Sequence, residues 1–280
     1  MSAAAAVIQV TPLLNALLVN PALLAYRDCY IADSPGSRIA RLIPEFPFMH
    51  RIRKRGDHLF HAGDPFRCFH ILNAGVAKTC CTSEEGVEQI VGLHLGGDIL
   101  GLEAMAAGVH GCNAVALDIC DVLILPVEVV IEQSQRRPAL MRELMHAFSG
   151  EIRGALDLIG SMRCLPATGR VAAFLLEMST RFASRGFSAT HLQMRLTRQE
   201  IGSMLGLELE TVSRAFSRFA QLGLISVRLR EIVLLDPRGL RELAVQAAIP
   251  KRQIGISTKV AATRRNVSDR NDLLPTSCSE

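Results

Sequence analysis

The sequence lacks a regular cysteine pattern, a secretory signal peptide and a long uninterrupted apolar run. Its eight cysteines are scattered along the chain, so a disulfide framework is excluded and free thiols in a reducing cytoplasm are expected. Charged side chains are missing before Arg27, but Pro12, Asn15 and Pro21 interrupt this segment, and no basic region or cleavage site accompanies it. We therefore expect an N-terminal extension over residues 1–45, a cytoplasmic location and no membrane partner.

The composition is that of a folded chain. It has 280 residues, of which 49% are hydrophobic and 21% are charged. These values exclude a disordered or fibrous protein and allow cores in two domains. The net charge of +4 and the pI near 8.7 permit a polyanionic partner without requiring one. The positions of the basic side chains must therefore decide the partner.

Short apolar runs punctuated by glycine fill residues 46–130. Glycine recurs at Gly56, Gly63, Gly75, Gly86 and Gly96, roughly the spacing of 8–12 residues that is typical of a β-barrel or jelly roll. We predict such a barrel here. Because the following segments have helical periodicity, the expected fold class of the whole chain is α+β.

A long helix is predicted within residues 131–164, where the apolar period changes from two to about three and a half. Its apolar seam could pack on the chain's own barrel or on a second copy. A single seam after a compact barrel favours a homodimer. Ala155 leaves the seam without a charge, so we expect the dimer to form without an effector. The seam consists of Met141, Met145, Phe148, Ile152, Ala155 and Ile159.

Residues 165–240 have the pattern of a winged helix-turn-helix. Thr197 and Glu200 have the spacing of a capping box, which predicts a helix start, and Gly206 stands where that helix must end. A second amphipathic helix is predicted from Leu209 to Gln221. The alternating segment 224–235 predicts a β-hairpin wing, although its turn near Arg230-Glu231 lacks the expected Asn-Gly or glycine.

The first exposed turn of the second helix presents side chains suited to base edges. Arg214 can bond guanine O6 and N7, Glu210 can accept from cytosine N4, and Ser213 can contact a neighbouring base or phosphate. Alternatively, Glu210 and Arg214 form an i, i+4 surface pair. The succession of capping box, glycine turn, second helix and wing favours double-stranded DNA as the partner. Phosphate contacts are assigned to Thr197, Arg198, Thr211 and Arg218.

Two parts of the chain resemble the Crp/Fnr family of bacterial transcription regulators, especially its Fnr and FixK branches. The helix-turn-helix resemblance rests on LTRQEIGSMLGLELETVSRAFSRFAQLGLI, and the resemblance to a cyclic-nucleotide-binding-type barrel rests on RGDHLFHAGDPFRCFHILNAGVAK and HLGGDILGLEAM. The resemblance implies that Glu210, Ser213 and Arg214 read a TTGAT half-site, that a dimer binds a TTGAT-N4-ATCAA palindrome, and that the protein contacts RNA polymerase. One departure is Glu208, where relatives often carry a capping threonine.

The resemblance does not identify the signal. Members that bind cyclic AMP hold its phosphate with an arginine-serine pair, whereas the corresponding segment 110–114 lacks arginine. Members with an iron–sulfur cluster use several N-terminal cysteines and one in the barrel; here Cys29 stands alone near the N-terminus, and Leu123 occupies the barrel position. The histidines lack a compact motif for haem or metal. We therefore expect no cofactor, cyclic AMP included.

Three cysteines, Cys80, Cys81 and Cys112, allow two interpretations. Exposed thiols of low pKa would sense oxidants. Free cysteine more often behaves as a small buried hydrophobe, which favours a structural role.

Two other functions remain as alternatives. A jelly-roll metalloenzyme of the cupin type would need two closely spaced histidines and a carboxylate, and the sequence does not offer that spacing. A ligand-binding module without DNA affinity leaves the helix-turn-helix and the wing unexplained. We expect a regulator without enzymatic activity, followed by a flexible basic tail over residues 241–280.

Overall fold

The computed structural model describes residues 34–44, 46 and 48–248. Within these ranges, a β-barrel is followed by two helices and then by a helical unit with its own small sheet. The predicted α+β class is confirmed. Every helix in the described ranges is too short or too polar to span a lipid bilayer.

The barrel consists of two four-stranded antiparallel sheets. Side chains that alternate along the strands fill the space between the sheets, among them Phe60, Leu72, Leu100 and Val122. The strands are β1 (Met49–Arg53), β2 (His58–Phe60), β3 (Cys68–Ala74), β4 (Val76–Thr82), β5 (Glu88–Leu95), β6 (Ile99–Leu100), β7 (Asn113–Ala116) and β8 (Cys120–Pro126), with a 3-10 helix at Leu102–Met105. The strand orders of the two sheets are β1-β8-β3-β6 and β2-β7-β4-β5.

A short helix precedes the barrel, within the predicted extension 1–45. Helix α1 (Pro35–Leu42) buries Ile39, and Arg38 forms an ion pair of 2.7 Å with Glu143. This part of the extension is therefore docked on the folded chain, while residues 1–33 lie outside the described ranges.

The predicted span 131–164 contains a break between two helices. Helix α2 (Val127–Arg136) ends, and helix α3 (Pro138–Cys164) begins at a proline, because the ring of Pro138 disfavours helical geometry at Arg137. The first turns of α3 bury Leu140, Leu144 and Ala147 against the barrel side of the molecule. Leu144 therefore lies on the buried face of α3, beside the seam residues Met141 and Met145.

The C-terminal unit has four helices and a three-stranded antiparallel sheet in the described ranges. Its core is built from apolar side chains such as Phe174, Leu192, Phe219 and Ile232. The predicted boundary at residue 240 falls inside the last helix. The elements are α4 (Ala167–Ala183), β9 (His191–Gln193), α5 (Arg198–Leu205), α6 (Leu209–Gln221), β10 (Ile225–Arg228), β11 (Glu231–Leu234) and α7 (Pro237–Ala248). The strand order of the sheet is β10-β11-β9.

Candidate DNA interface

Helix α5 begins with the predicted capping box. The Thr197 hydroxyl accepts from the Glu200 amide at 3.2 Å, and the Glu200 carboxylate accepts from the Thr197 amide at 2.8 Å. Two amides that have no partner inside the helix are thereby satisfied. The exposed Thr197 side chain is thus part of the helix cap as well as a predicted phosphate contact.

The turn between α5 and α6 depends on two glycines. Gly206 ends α5 with a φ of +64°, in the left-handed region that glycine tolerates best. Gly202 lies inside α5, and a Cβ there would stand 2.4 Å from the Leu207 carbonyl oxygen. A backbone hydrogen bond closes the same turn: the Leu207 amide donates to the Gly202 carbonyl at 2.9 Å. Sequence reasoning missed Gly202, although a glycine inside a helical pattern signals close packing.

Helix α6 separates a buried face from a polar face. Val212, Phe216 and Phe219 enter the core of the unit. Glu210 and Arg214 are exposed on the first turns. The helix starts at Glu208 without a hydrogen bond from the Glu208 side chain, as expected from the missing threonine.

The base-reading set lies together on the polar face of α6. Arg214 donates from Nη2 to the Thr211 hydroxyl at 3.4 Å. Both Glu210 and Arg214 are exposed. Ser213 and Thr211 are half-buried beside them. The surface therefore offers a guanidinium donor, a carboxylate acceptor and two hydroxyls.

Arg198, a predicted phosphate contact, lies over an aromatic ring. Its guanidinium carbon is 3.2 Å from the centroid of the Phe216 ring. Burial lowers the pKa of Arg198 to about 10. This cation–π contact fixes α5 against α6, so the structure gives Arg198 a packing role inside the helix-turn-helix. Arg218 is exposed on α6.

The predicted wing is present, but its turn is shifted by one residue. Strands β10 and β11 pair from Ile225↔Leu234 to Arg228↔Glu231. The turn is therefore Leu229-Arg230 and not Arg230-Glu231. Leu229, assigned to the strand by alternation, lies at the tip, where its backbone φ is +52°.

The barrel holds the helix-turn-helix through contacts that the sequence did not predict. Ser203 on α5 donates from its hydroxyl to the Glu88 carbonyl at 3.0 Å and accepts from the Ile90 amide at 3.0 Å. Gln89 donates to the Ser203 carbonyl. Since β5 is an edge strand, Ser203 satisfies backbone groups that would otherwise lack a partner strand. The lone serine in α5 carried no sequence signal for this contact.

Helix α4 is tied to the barrel by a carboxylate between two arginines. Asp98 accepts from Arg181 at 3.0 Å and also pairs with Arg185. Burial alone would raise the pKa of Asp98, but the two guanidinium groups outweigh it and hold the pKa below its usual value. Both arginines lie near the end of α4, so this end of the helix is oriented by the barrel.

Most of the predicted seam of α3 is exposed. Met145 and Ile152 are 63% and 60% exposed. Phe148 differs, because it is half-buried against the core formed by α1 and the barrel. The other seam positions, Met141, Ala155 and Ile159, are exposed. A row of large apolar side chains on one helix face is unusual for a surface that remains in water.

A cavity of about 90 Å³ lies between the barrel and α3. Its lining includes the carboxylates of Glu103 and Glu151 and the imidazole of His94. Burial lowers the pKa of His94, which favours its neutral form. The lining within the described ranges has no arginine or lysine, so a cyclic phosphate does not fit this donor set.

The described residues also do not fit an iron–sulfur cluster. Leu123 is buried in β8 at the position where the resemblance places a barrel ligand. No group of three or more histidine, cysteine or acidic side chains in the described ranges could hold a metal ion. Cys29 lies outside these ranges.

The three candidate redox cysteines are in different environments. Cys80 and Cys112 are buried, whereas Cys81 is exposed. Burial, followed by the charges of nearby acidic side chains, raises the pKa of Cys80 to about 11 and that of Cys112 to about 12. Thiols of such high pKa are slow to react with oxidants, so the geometry favours the structural interpretation for these two.

A jelly-roll barrel, a long helix with an exposed seam and a winged helix-turn-helix define the class of DNA-binding transcription regulators. The model of the Crp-like helix-turn-helix domain matches residues 169–243, and the model of the cyclic nucleotide-binding domain matches residues 51–137. The chain belongs to the Crp/Fnr family of transcription regulators. Neither the metalloenzyme nor the DNA-free ligand module is favoured.

Similar proteins include two curated regulators. The transcriptional activator protein anr of Pseudomonas aeruginosa is 40% identical over 191 residues, which are 68% of this chain and 78% of that protein. The fumarate and nitrate reduction regulatory protein of Escherichia coli K12 is 37% identical over 191 residues, 68% of this chain and 76% of that protein. Among solved structures, FixK2 from Bradyrhizobium japonicum matches with a TM-score of 0.65 and 28% identity, covering 71% of this chain and 98% of that one.

Proposed function

We propose that the protein reads a TTGAT-N4-ATCAA-like palindrome with the polar face of α6. The observation that carries this proposal is the exposure of Glu210 and Arg214 on the first turns of a helix whose opposite face is fixed in the core. Arg214 would bond guanine O6 and N7, and Glu210 would accept from the cytosine N4 of the same base pair. Ser213 would contact a neighbouring base or phosphate.

The phosphate contacts position this helix without adding specificity. Arg218 on α6 and Thr197 at the start of α5 have exposed side chains for that role. Thr211, whose hydroxyl accepts from Arg214, would hold the guanidinium in place or contact a phosphate. Arg198 would contribute its positive charge while stacked on Phe216.

The active species in this proposal is a homodimer joined along α3. The exposed seam supports it, because pairing would bury Met145, Ile152 and Ile159. A two-fold dimer presents two recognition helices to two half-sites about one helical turn apart. With alanine at position 155, the seam brings no like charges together at that point.

The protein would act in the cytoplasm as a non-enzymatic activator that contacts RNA polymerase. Control of genes linked to redox, oxygen or nitrogen is supported by two relatives that are named for activation and for fumarate and nitrate reduction. We expect DNA binding without cyclic AMP, an iron–sulfur cluster or haem; for cyclic AMP, the expectation follows from a cavity lining that includes carboxylates and, among the described residues, no arginine or lysine. The barrel would then serve as a scaffold for α3, α4 and α5.

A loss-of-contact experiment tests the base assignment. The G·C pair of each half-site is changed to A·T, and Kd is measured by fluorescence anisotropy at fixed salt. Wild-type protein should bind the altered duplex at least about tenfold more weakly per half-site, whereas Arg214→Ala should no longer distinguish the two duplexes. Arg218→Ala is the matched control. It should weaken binding to both duplexes equally and lower the slope of log affinity against log salt concentration by about one. If Arg214→Ala still distinguishes the two duplexes as well as wild type does, the assignment is refuted.

A further inference from the structure

Helix α4 connects the proposed dimer helix to the recognition helix. Only Leu165 and Pro166 separate the end of α3 from the start of α4, and α6 packs against α4 in the core of the C-terminal unit. The position of α6 relative to α3 therefore depends on how α4 is held. In a two-fold dimer, this position also determines the distance between the two recognition helices.

Both ends of α4 are attached to neighbouring parts of the chain. Near its start, Arg170 donates from Nε to the Leu165 carbonyl at 3.0 Å. At its far end, Arg181 and Arg185 pair with the Asp98 carboxylate of the barrel. The helix has 17 residues and is about 25 Å long, so these two attachments lie far apart along one axis. By themselves they leave the C-terminal unit free to rotate about the α4 axis.

The attachment of α5 to β5 lies away from this axis and opposes that rotation. Ser203 accepts from the Ile90 amide and donates to the Glu88 carbonyl, both at 3.0 Å. Gln89 donates to the Ser203 carbonyl. Two of these bonds end on backbone groups of β5, which cannot move without the sheet. The side chain of Ile90 also lies in the same core as the helix-turn-helix.

Two other contacts differ in how firmly they oppose the rotation. Lys78 pairs with Glu200 at 3.1 Å, and Glu200, three positions before Ser203, lies on the same face of α5. Met162 at the end of α3 reaches the turn at Gly206, but a methionine side chain has three rotatable bonds and can follow a small displacement. The firm attachment away from the α4 axis is therefore the one between α5 and the barrel.

A small rotation would change the spacing that the dimer reads. Packed helices lie about 10 Å apart, so a rotation of about 20° about α4 would displace α6 by about 3.5 Å. This displacement equals the rise of one base pair, about 3.4 Å. One base pair also turns a half-site by about 35° around the duplex axis. A firmly held unit should therefore distinguish between neighbouring spacings.

We infer that Ser203 and Gln89, together with Lys78, are positioning residues that select the four-base-pair spacer between the half-sites. Their role requires no contact with DNA, because they act by fixing the angle between α6 and α3. This inference rests on the proposed dimer and palindrome, and it adds the residues that determine the spacing.

A series of spacers tests the inference. Duplexes with two TTGAT half-sites in inverted orientation and spacers of three, four or five base pairs are compared by fluorescence anisotropy at fixed salt. Wild type should bind the four-base-pair spacer at least about tenfold more tightly than either neighbour, and in Ser203→Ala/Gln89→Ala this preference should fall to about threefold or less. The matched control is Ser134→Ala/Gln135→Ala on α2, where the Ser134 hydroxyl donates to Ile131 of the same helix. This control should keep the wild-type preference.

The ratio of the Kd values separates positioning from a merely structural role. A smaller folded fraction weakens apparent binding to all three duplexes by the same factor, so it leaves the ratio unchanged. Lys78→Met changes the barrel alone and should also reduce the preference; it replaces the double variant if thermal unfolding shows that the double variant does not fold. A wild-type ratio in a folded Ser203→Ala/Gln89→Ala protein, or in Lys78→Met in its place, would overturn the inference.

Selection of binding sites from random duplexes separates this inference from the base assignment of α6. If wild type selects a palindrome of another sequence at one spacing, the TTGAT assignment fails, and the spacer series is repeated with the selected half-sites. If wild type binds TTGAT specifically but tolerates every spacing, the base assignment stands and the positioning inference is refuted. Selected sites that lack a second half-site would refute both the proposed dimer and the inference.

Discussion

The ammonium of Lys78 on β4 donates to the Glu200 carboxylate on α5 at 3.1 Å and to Glu88 at 2.6 Å. The Lys78 side chain is only 9% exposed. The same Glu200 carboxylate completes the capping box with Thr197. One side chain therefore belongs both to the start of the helix-turn-helix and to its attachment to the barrel.

Replacing Lys78 should destabilise this attachment. In Lys78→Met, Glu200 and Glu88 would face each other without a counter-charge, and we expect a loss of about 2 kcal/mol in the free energy of unfolding, since part of the pair is solvent-exposed. Urea unfolding measures the loss, and the exposed Lys54→Met is the control that should stay near wild type. A coupling of zero in the double-mutant cycle with Glu200→Gln would contradict a direct contribution of this pair.

The attachment should depend on pH in a defined direction. Burial alone would raise the pKa of Glu200, but the Thr197 amide and Lys78 lower it below 4.5. Burial alone would lower the pKa of Lys78, but Glu88 and Glu200 raise it above 10.5. The stabilisation by Glu200 is therefore complete above pH 4.5 and is lost as the pH falls through the folded-state pKa of Glu200. The stabilisation by Lys78 is complete below pH 10.5 and is lost as the pH rises through the folded-state pKa of Lys78.

The stability difference between wild type and Lys78→Met should accordingly be constant between those limits and shrink below pH 4.5. Urea midpoints measured at several pH values test this expectation. A difference that grows as the pH falls would have the wrong sign.

Gly202→Ala should disrupt the helix-turn-helix, because its Cβ would stand 2.4 Å from the Leu207 carbonyl oxygen, which is backbone and cannot rotate away. We expect a loss of about 3 kcal/mol, typical of severe overpacking. Thermal unfolding followed by circular dichroism measures it. Gly154→Ala in α3, where a Cβ meets no atom within 4 Å, is the control and should be neutral or stabilising. Similar behaviour of the two variants would refute the close approach.

Ala155→Asp should weaken the proposed dimer, since two-fold pairing along α3 would bring the introduced carboxylates towards each other. The dimer dissociation constant in sedimentation equilibrium should rise at least about tenfold. Asparagine has nearly the same shape as aspartate but carries no charge, so Ala155→Asn should weaken the dimer less than Ala155→Asp. If Asp and Asn variants dimerise as tightly as wild type, position 155 does not lie in the dimer seam.

The raised thiol pKa values predict selective alkylation. With iodoacetamide at pH 8, Cys81 should react in the folded protein, while Cys80 and Cys112, with pKa values of about 11 and about 12, should react only after unfolding. Mass spectrometry of the peptides identifies the modified thiols. Fast modification of Cys112 in the folded state would revive the redox-sensing interpretation.

Local features of the reading unit could be predicted from the sequence, whereas its attachment could not. Thr197, Glu200 and Gly206 define helix ends through contacts between residues a few positions apart, and the structure confirms those ends. The contacts of Lys78 with Glu200 and of Ser203 with β5 join residues more than one hundred positions apart. No periodicity or local motif encodes such pairs, because they depend on how two finished units meet.

The wing demonstrates a different limit. Alternation placed Leu229 in a strand, but pairing of Arg228 with Glu231 leaves Leu229 in the turn. Turn rules favour glycine there, so the actual residue contradicts the local preference of the backbone. Such a conflict between sequence and local structure is more informative about function than about the fold.

The most direct test of the account is the binding of purified protein to a TTGAT-N4-ATCAA duplex in air and without oxygen, with a scrambled duplex of equal composition and Arg214→Ala as controls. We predict equal, sequence-specific binding by wild type in both atmospheres and loss of that specificity in Arg214→Ala. Specific binding only without oxygen would contradict a cofactor-free mechanism. Equal binding to the palindrome and the scrambled duplex would contradict base reading by α6.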